Sequence, residues 1–126
     1  MFRVLDDSKP VFQQIKEMIE DDIVKGVLKE EEQIPSTNQL VNYYKINPAT
    51  ILKAFNLLVD EEIIYKKRGV GMFVHSGAFV KLRNKRALQF EEQYVEPLLQ
   101  EAHALGIGME ELIQIIERRR GTKKWI

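Results

Sequence analysis

The chain has 126 residues, 44% of them apolar and 30% charged, with a formal net charge of zero and no cysteine. That length holds one ordinary domain, or a small domain with an appendage, and the apolar share is enough for a real core. Without cysteine there is neither a disulfide framework nor a thiolate metal site. The longest apolar run falls short of the 18 residues a membrane-spanning helix needs. The opening Met1-Phe2-Arg3-Val4-Leu5-Asp6-Asp7 lacks a signal-peptide core, so the expected compartment is the cytoplasm.

Charge is unevenly distributed along the chain. Residues 1–32 carry nine acids against five bases, whereas residues 33–59 carry no acid and hold Lys45 and Lys53. Asp60, Glu61 and Glu62 cluster together, and residues 63–90 are again free of acid but hold Lys66, Lys67, Arg68, Lys81, Arg83, Lys85 and Arg86. A neutral protein can still present one positive face, and a polyanion responds to that local field.

Taken in chain order, the first predicted element is a helix over Pro10 to Val24. Val11, Ile15, Met18, Ile19 and Ile23 recur at three- and four-residue spacing, with Ser8 and Pro10 as start signals and Gly26 as a stop. Glu17, Glu20, Asp21 and Asp22 fall mostly off that stripe, which makes this helix scaffold. A second helix is predicted from Ser36 to about Lys45. Ser36-Thr37-Asn38-Gln39 has capping-box spacing, and Leu40 with Tyr43 or Tyr44 points inward. The free amides at such a helix start suit a phosphate.

Ile46-Asn47-Pro48 is the turn, with Asn47 as N-cap and Pro48 at the first helical position. The third helix is predicted to run to about Asp60, burying Ile51, Ala54, Phe55 and Leu58. Ala49, Thr50, Lys53 and Asn56 lie opposite, small or polar groups able to approach base edges and phosphates. Leu52 borders that face and is expected to be half exposed. Ile63 to Lys67 and Met72 to Val74 read as two short strands joined by Arg68-Gly69-Val70-Gly71. An arginine at a hairpin tip can enter a minor groove or grip a phosphate. The Gly-x-Gly there is no nucleotide-binding loop, because the third glycine and the strand-then-helix context are missing.

The remaining residues read as helix. Leu88, Tyr94, Val95, Leu98, Leu99, Ala102 and Leu105 form a stripe from about Lys81 to Leu105, with Pro97 expected to kink or divide it. Gly106-Ile107-Gly108 is a break, and Met109 to about Arg119 forms a last helix with Leu112, Ile113, Ile115 and Ile116 apolar. Helices this short need a partner for their stripes, either the preceding domain or a second copy. The basic tail, Arg118 to Ile126, is a candidate DNA contact, a cap on an acidic patch of a partner subunit, or a solvated end. His75 and His103 have no carboxylate pair at ligand spacing, so no metal site is expected. Nor is there a nucleophile–base pair or a cofactor fingerprint, and neither enzyme activity nor a cofactor is expected.

The order helix, turn, helix, hairpin is that of a winged helix-turn-helix. Three segments resemble the GntR family of bacterial transcription regulators: Pro35-Ser36, then Ile46-Asn47-Pro48-Ala49-Thr50-Ile51, then Arg68-Gly69-Val70-Gly71-Met72-Phe73-Val74. Pro10-Val11-Phe12-Gln13-Gln14-Ile15 resembles the opening of the family's first helix. Asn47-Pro48 and Lys53-Ala54-Phe55 are similar to the YtrA-like branch, whose short C-terminal segment agrees with the 50 or so residues left here. The resemblance implies an α+β, mostly helical fold, with a winged helix-turn-helix over residues 1–77 and a helical dimerisation segment over 78–126. It implies a sequence-specific, homodimeric DNA-binding regulator, a repressor on a palindromic operator. Ser36, Thr37, Asn38, Asn47, Ala49, Thr50, Lys53, Lys67, Arg68 and Gly69 would meet the DNA. Tyr94, Leu98, Leu99, Leu112 and Ile116 would join the dimer. Asn38 stands where the family commonly has a DNA-contacting Arg. A small-molecule inducer stays open and unidentified. The competing expectation is a protein-interaction module using the winged fold as scaffold, which has no use for 28 acid-free residues across the wing.

Overall fold

The computed structural model describes residues 2–124; Met1 and the last two residues of the basic tail, Trp125 and Ile126, lie outside them. Six α-helices and two strands follow one another as α1 (Val11–Val24), α2 (Thr37–Tyr44), α3 (Pro48–Asp60), β1 (Ile64–Lys67), β2 (Gly71–Val74), α4 (Ala78–Phe90), α5 (Glu96–Ala104) and α6 (Met109–Arg120). The chain divides into two compact units, residues 1–85 and 86–126.

In the first unit the apolar stripes of the three helices meet. Ile15, Met18, Ile19 and Ile23 of α1 pack in one core with Leu40 of α2 and Ile51, Ala54, Phe55 and Leu58 of α3. These are the periodic positions read from the sequence. Tyr44 packs against that core, whereas Tyr43 stays exposed. The hairpin seals the open side with Ile63, Ile64 and Val74. β1 and β2 are antiparallel, with Ile64 opposite Val74, Tyr65 opposite Phe73 and Lys67 opposite Gly71.

Sequence reading gave no role to residues 31–34, which run along the far edge of β2. Ile34 N–H donates to Met72 O, Glu31 N–H to Val74 O and Val74 N–H to Glu32 O, each at 2.9 Å. That edge carries no apolar alternation, since only Ile34 of the four is buried.

A second feature without a sequence signature is the N-terminal arm. Gln14 is buried on α1, and its side-chain amide donates to Asp6 O (2.8 Å) and Lys9 O (2.7 Å) while accepting from Asp6 N–H (3.0 Å). Phe2 stacks edge-on against Tyr43, Tyr44 Oη donates to Arg3 O (2.6 Å), and Arg3 pairs with Asp21. The arm thereby neutralises part of the acidic face of α1.

The sequence-based boundary at 77 falls just before α4. The compact unit continues through Lys85, because Ala78 and Leu82 belong to its core.

In the second unit, helix does not stop at Pro97. A turn of π-helix spans Glu91–Val95 and leads directly into α5. Proline lacks an N–H and its ring crowds the carbonyl four residues back, here that of Gln93. The wider turn absorbs the mismatch upstream of the proline. Gly106-Ile107-Gly108 breaks the helix as expected, and α6 follows. Among the described residues of this unit only Ala102 and Leu112 are buried.

Candidate nucleic-acid interface

The turn between α2 and α3 is only Lys45, Ile46 and Asn47, and each flank is chemically fixed. At the start of α2, Ser36 Oγ accepts from Gln39 N–H (3.1 Å) and Gln39 Oε1 accepts from Ser36 N–H (2.8 Å). This reciprocal box satisfies two backbone donors and leaves the amides of Thr37 and Asn38 for an outside acceptor. Lys45 closes α2 in the left-handed conformation at φ +57°, and its N–H donates to Val41 O. Asn47 Oδ1 accepts from Ala49 N–H (2.9 Å), so this side chain serves first as a cap and keeps only its NH2 for a ligand.

Helix α3 turns Ala49, Leu52, Lys53 and Asn56 outward, all exposed, with Thr50 half-buried at one flank. Lys53 is not loose in solvent. Its Nζ lies 4.0 Å from the ring centroid of Phe12 on α1. A cation–π contact at an exposed site is worth about 0.5–1 kcal/mol, enough to restrain the stem without neutralising the charge.

The wing is a three-residue loop, Arg68-Gly69-Val70. Val70 N–H donates to Lys67 O (2.9 Å), and Gly69 at φ +77° supplies the positive dihedral that such a turn needs. Gln33, from the edge segment, reaches across and donates its side-chain amide to Val70 O (3.0 Å). It lies where a Cβ on Gly71 would go, and Gly71 sits at φ +147°. The backbone conformation favours glycine there, and a Cβ would displace the Gln33 amide from the wing. Gln33 is thus a positioning residue for the wing tip, and the one sequence hint of it is the second glycine of the loop. Lys67 is also held, its Nζ 4.5 Å from the Phe73 ring, and Phe73 in turn stacks on Tyr65.

The electrostatics are narrower than the sequence implies. Lys81 pairs with Glu62 (2.9 Å), Lys85 with Glu61 (3.9 Å), and Lys16 with Glu61 (3.0 Å) and Glu20 (3.3 Å). The basic run of residues 63–90 is therefore split, and its α4 portion is partly spent on the acids that end α3. Among the described residues Lys66 and Arg68 have no ion-pair partner, and both sit at or beside the wing tip. Ser36, Thr37, Asn38, Asn47, Ala49, Thr50, Lys53, Lys67, Arg68 and Gly69 all lie in the first unit, on the starts of α2 and α3 and on the wing, and none is buried.

Of the residues read as dimer-forming, Tyr94, Leu98, Leu99 and Ile116 are exposed, whereas Leu112 is buried within the second unit. Leu88, Phe90, Leu105, Met109 and Ile113 add to the exposed apolar surface there. No described residues group three or more metal-ligating side chains.

Residues 12–74 match the family described as "Bacterial regulatory proteins, gntR family". The chain is similar to the HTH-type transcriptional repressor YtrA of Bacillus subtilis, 30% identical over 110 residues that span 87% of this chain and 84% of that one. Its fold is similar to a GntR family transcriptional regulator from Listeria monocytogenes, at 32% identity and TM-score 0.69, covering 90% of this chain and 98% of the other. It is also similar to AraR(DBD) in complex with operator ORR3, at 32% identity and TM-score 0.50, over 58% of this chain and 92% of that one.

Proposed function

The chain belongs to the GntR family and is a DNA-binding transcription regulator, and from that premise we propose that it is a cytoplasmic repressor acting as a homodimer on a twofold operator. One observation carries this reading. The starts of α2 and α3 and the wing tip present polar, small and cationic groups without a carboxylate among them, while Glu17, Glu20 and Asp21 of α1 and Glu61 and Glu62 just after α3 are held in ion pairs.

In this reading the free amides of Thr37 and Asn38 and the cap residue Ser36 seat one phosphate. Asn38 supplies a neutral hydrogen bond where a guanidinium is common, and the unpaired Lys66 and Arg68 restore the missing charge from the wing. Ala49, Thr50 and Lys53, with Asn47 at the turn, enter the major groove, and Arg68 with Gly69 and Lys67 follows the adjacent backbone or minor groove. Lys53, held over Phe12, acts as a point charge toward phosphate rather than as a base reader.

The dimer follows from the second unit. About 40 residues with two buried side chains do not make a stable core alone. A second copy covering Tyr94, Leu98, Leu99 and Ile116, with Leu112 filling in behind them, supplies the missing burial and the twofold symmetry that paired half-sites demand.

The test is selection of the full-length chain on random duplexes, followed by titration of the enriched duplex at several salt concentrations. A specific complex of two chains per duplex, weakening linearly in log–log salt dependence, is expected. Equal affinity for enriched and scrambled duplexes would refute sequence-specific regulation.

A further inference from the structure

Leu52 is the most exposed large apolar side chain on α3, 48% against 36% for Val59 near the helix's far end, and is flanked by Ala49, Lys53 and Asn56. At about 100° per residue, Ala49 and Asn56 lie near the middle of the exposed face, with Leu52 on one side and Lys53 on the other. A lone surface leucine needs no explanation in general. This one stands on the N-terminal half of α3, where the outward face is otherwise small and polar, and it is not part of the core. The same face has no guanidinium, the group that pairs most readily with guanine. What it offers a base edge, with Thr50 at its flank, is the isobutyl group of Leu52, the methyl of Ala49 and the amide of Asn56.

We propose that Leu52 is a specificity-determining residue that packs against the 5-methyl group of a thymine in the major groove. The inference rests on the DNA-binding reading above and deepens it. Thymine alone among the bases presents a methyl group in that groove. Covering it removes apolar surface from water on both partners, which is favourable and independent of salt. Cytosine in its place would present only a C5–H and leave Leu52 without its apolar partner. Each half-site would therefore hold a thymine read through its methyl group.

The experiment starts from the enriched duplex. Each thymine is replaced singly by uracil, which deletes the methyl and preserves pairing, and binding of the full-length chain is followed by fluorescence anisotropy. For the wild-type chain we expect one position per half-site at which uracil weakens binding about three- to tenfold, the worth of one covered methyl. Leu52→Ala should bind the thymine duplex more weakly and show no penalty at that position. Leu52→Met keeps apolar reach and should retain the penalty, and Lys53→Ala should weaken all duplexes alike. Identical uracil profiles for wild type and Leu52→Ala would overturn the assignment while leaving sequence-specific binding intact. Failure to enrich any duplex would instead remove the DNA reading, and this proposal with it.

Discussion

Residues 2–85 and residues 86–124 are built of similar helices, yet they solve the burial problem differently. The first unit closes sixteen apolar side chains around one core, drawing on all three leading helices, the hairpin and the first turns of α4. The second leaves Leu88, Phe90, Tyr94, Leu105 and Met109 more than half exposed and buries two residues. Amphipathic helices of 9 to 13 residues are not stable from propensity alone. The difference shows where the fold is self-sufficient and where apolar surface stays open.

That contrast is broken most directly by the same kind of change in each unit. Leu58→Ala empties part of a closed core and should cost about 2–5 kcal/mol. Thermal unfolding should show this loss equally at all protein concentrations. Leu98→Asp places a charge on the exposed stripe and should hardly disturb the isolated chain. It should abolish the dimer in sedimentation velocity, a loss of roughly 2–4 kcal/mol of association if Leu98 is central. A Leu98→Asp chain that sediments like wild type would mean that the second unit's surface is not an interface.

Within the first unit, the wing and the acidic scaffold can be set against each other. Arg68→Ala should weaken the enriched duplex by about 1–3 kcal/mol per half-site. Lys25→Ala, on an exposed residue at the end of α1, should leave binding unchanged. Gln33→Ala should act in the same direction as Arg68→Ala but less, about 0.5–1.5 kcal/mol, because one hydrogen bond to the wing tip is lost. If Gln33 works through the wing, the two losses should not add in the double variant. Strict additivity would assign Gln33 a role in fold stability alone.

The parts legible in the sequence are those with local causes. Ser36 with Gln39, Asn47 with Pro48, and Gly69 in its turn each solve a backbone problem within a few residues, so spacing alone reveals them. Core positions of α1 and α3 follow from the 3.6-residue period. What escaped reading depends on distant partners. Gln33 is 37 residues from the carbonyl that it holds. Gln14 is legible as polar but not as buried, because the arm that buries it has no periodicity. Lys53 reads as a free cation until α1 brings Phe12 beneath it. The π-helical turn is announced by Pro97, but its place depends on how the preceding helix relieves the clash.

Lys16 provides the finest test, since it links the acidic scaffold to the end of α3. Burial pulls its pKa down, but Glu61 and Glu20 outweigh burial and hold the ammonium above its ordinary value of 10.5. A lysine whose pKa is raised on folding contributes stability fully below its unfolded pKa and loses that contribution as pH rises through the folded one. The window is therefore alkaline, from about pH 10.5 upward, and neutral pH lies wholly within the stabilised range. Partly exposed pairs of this kind are worth about 0.3–0.5 kcal/mol each. Wild type should be slightly more stable than Lys16→Met at pH 8, and the gap should close above pH 11 in parallel denaturant titrations. A gap that stays constant from pH 8 to well above pH 11 would mean that Lys16 stabilises through its aliphatic stem and not through its charge.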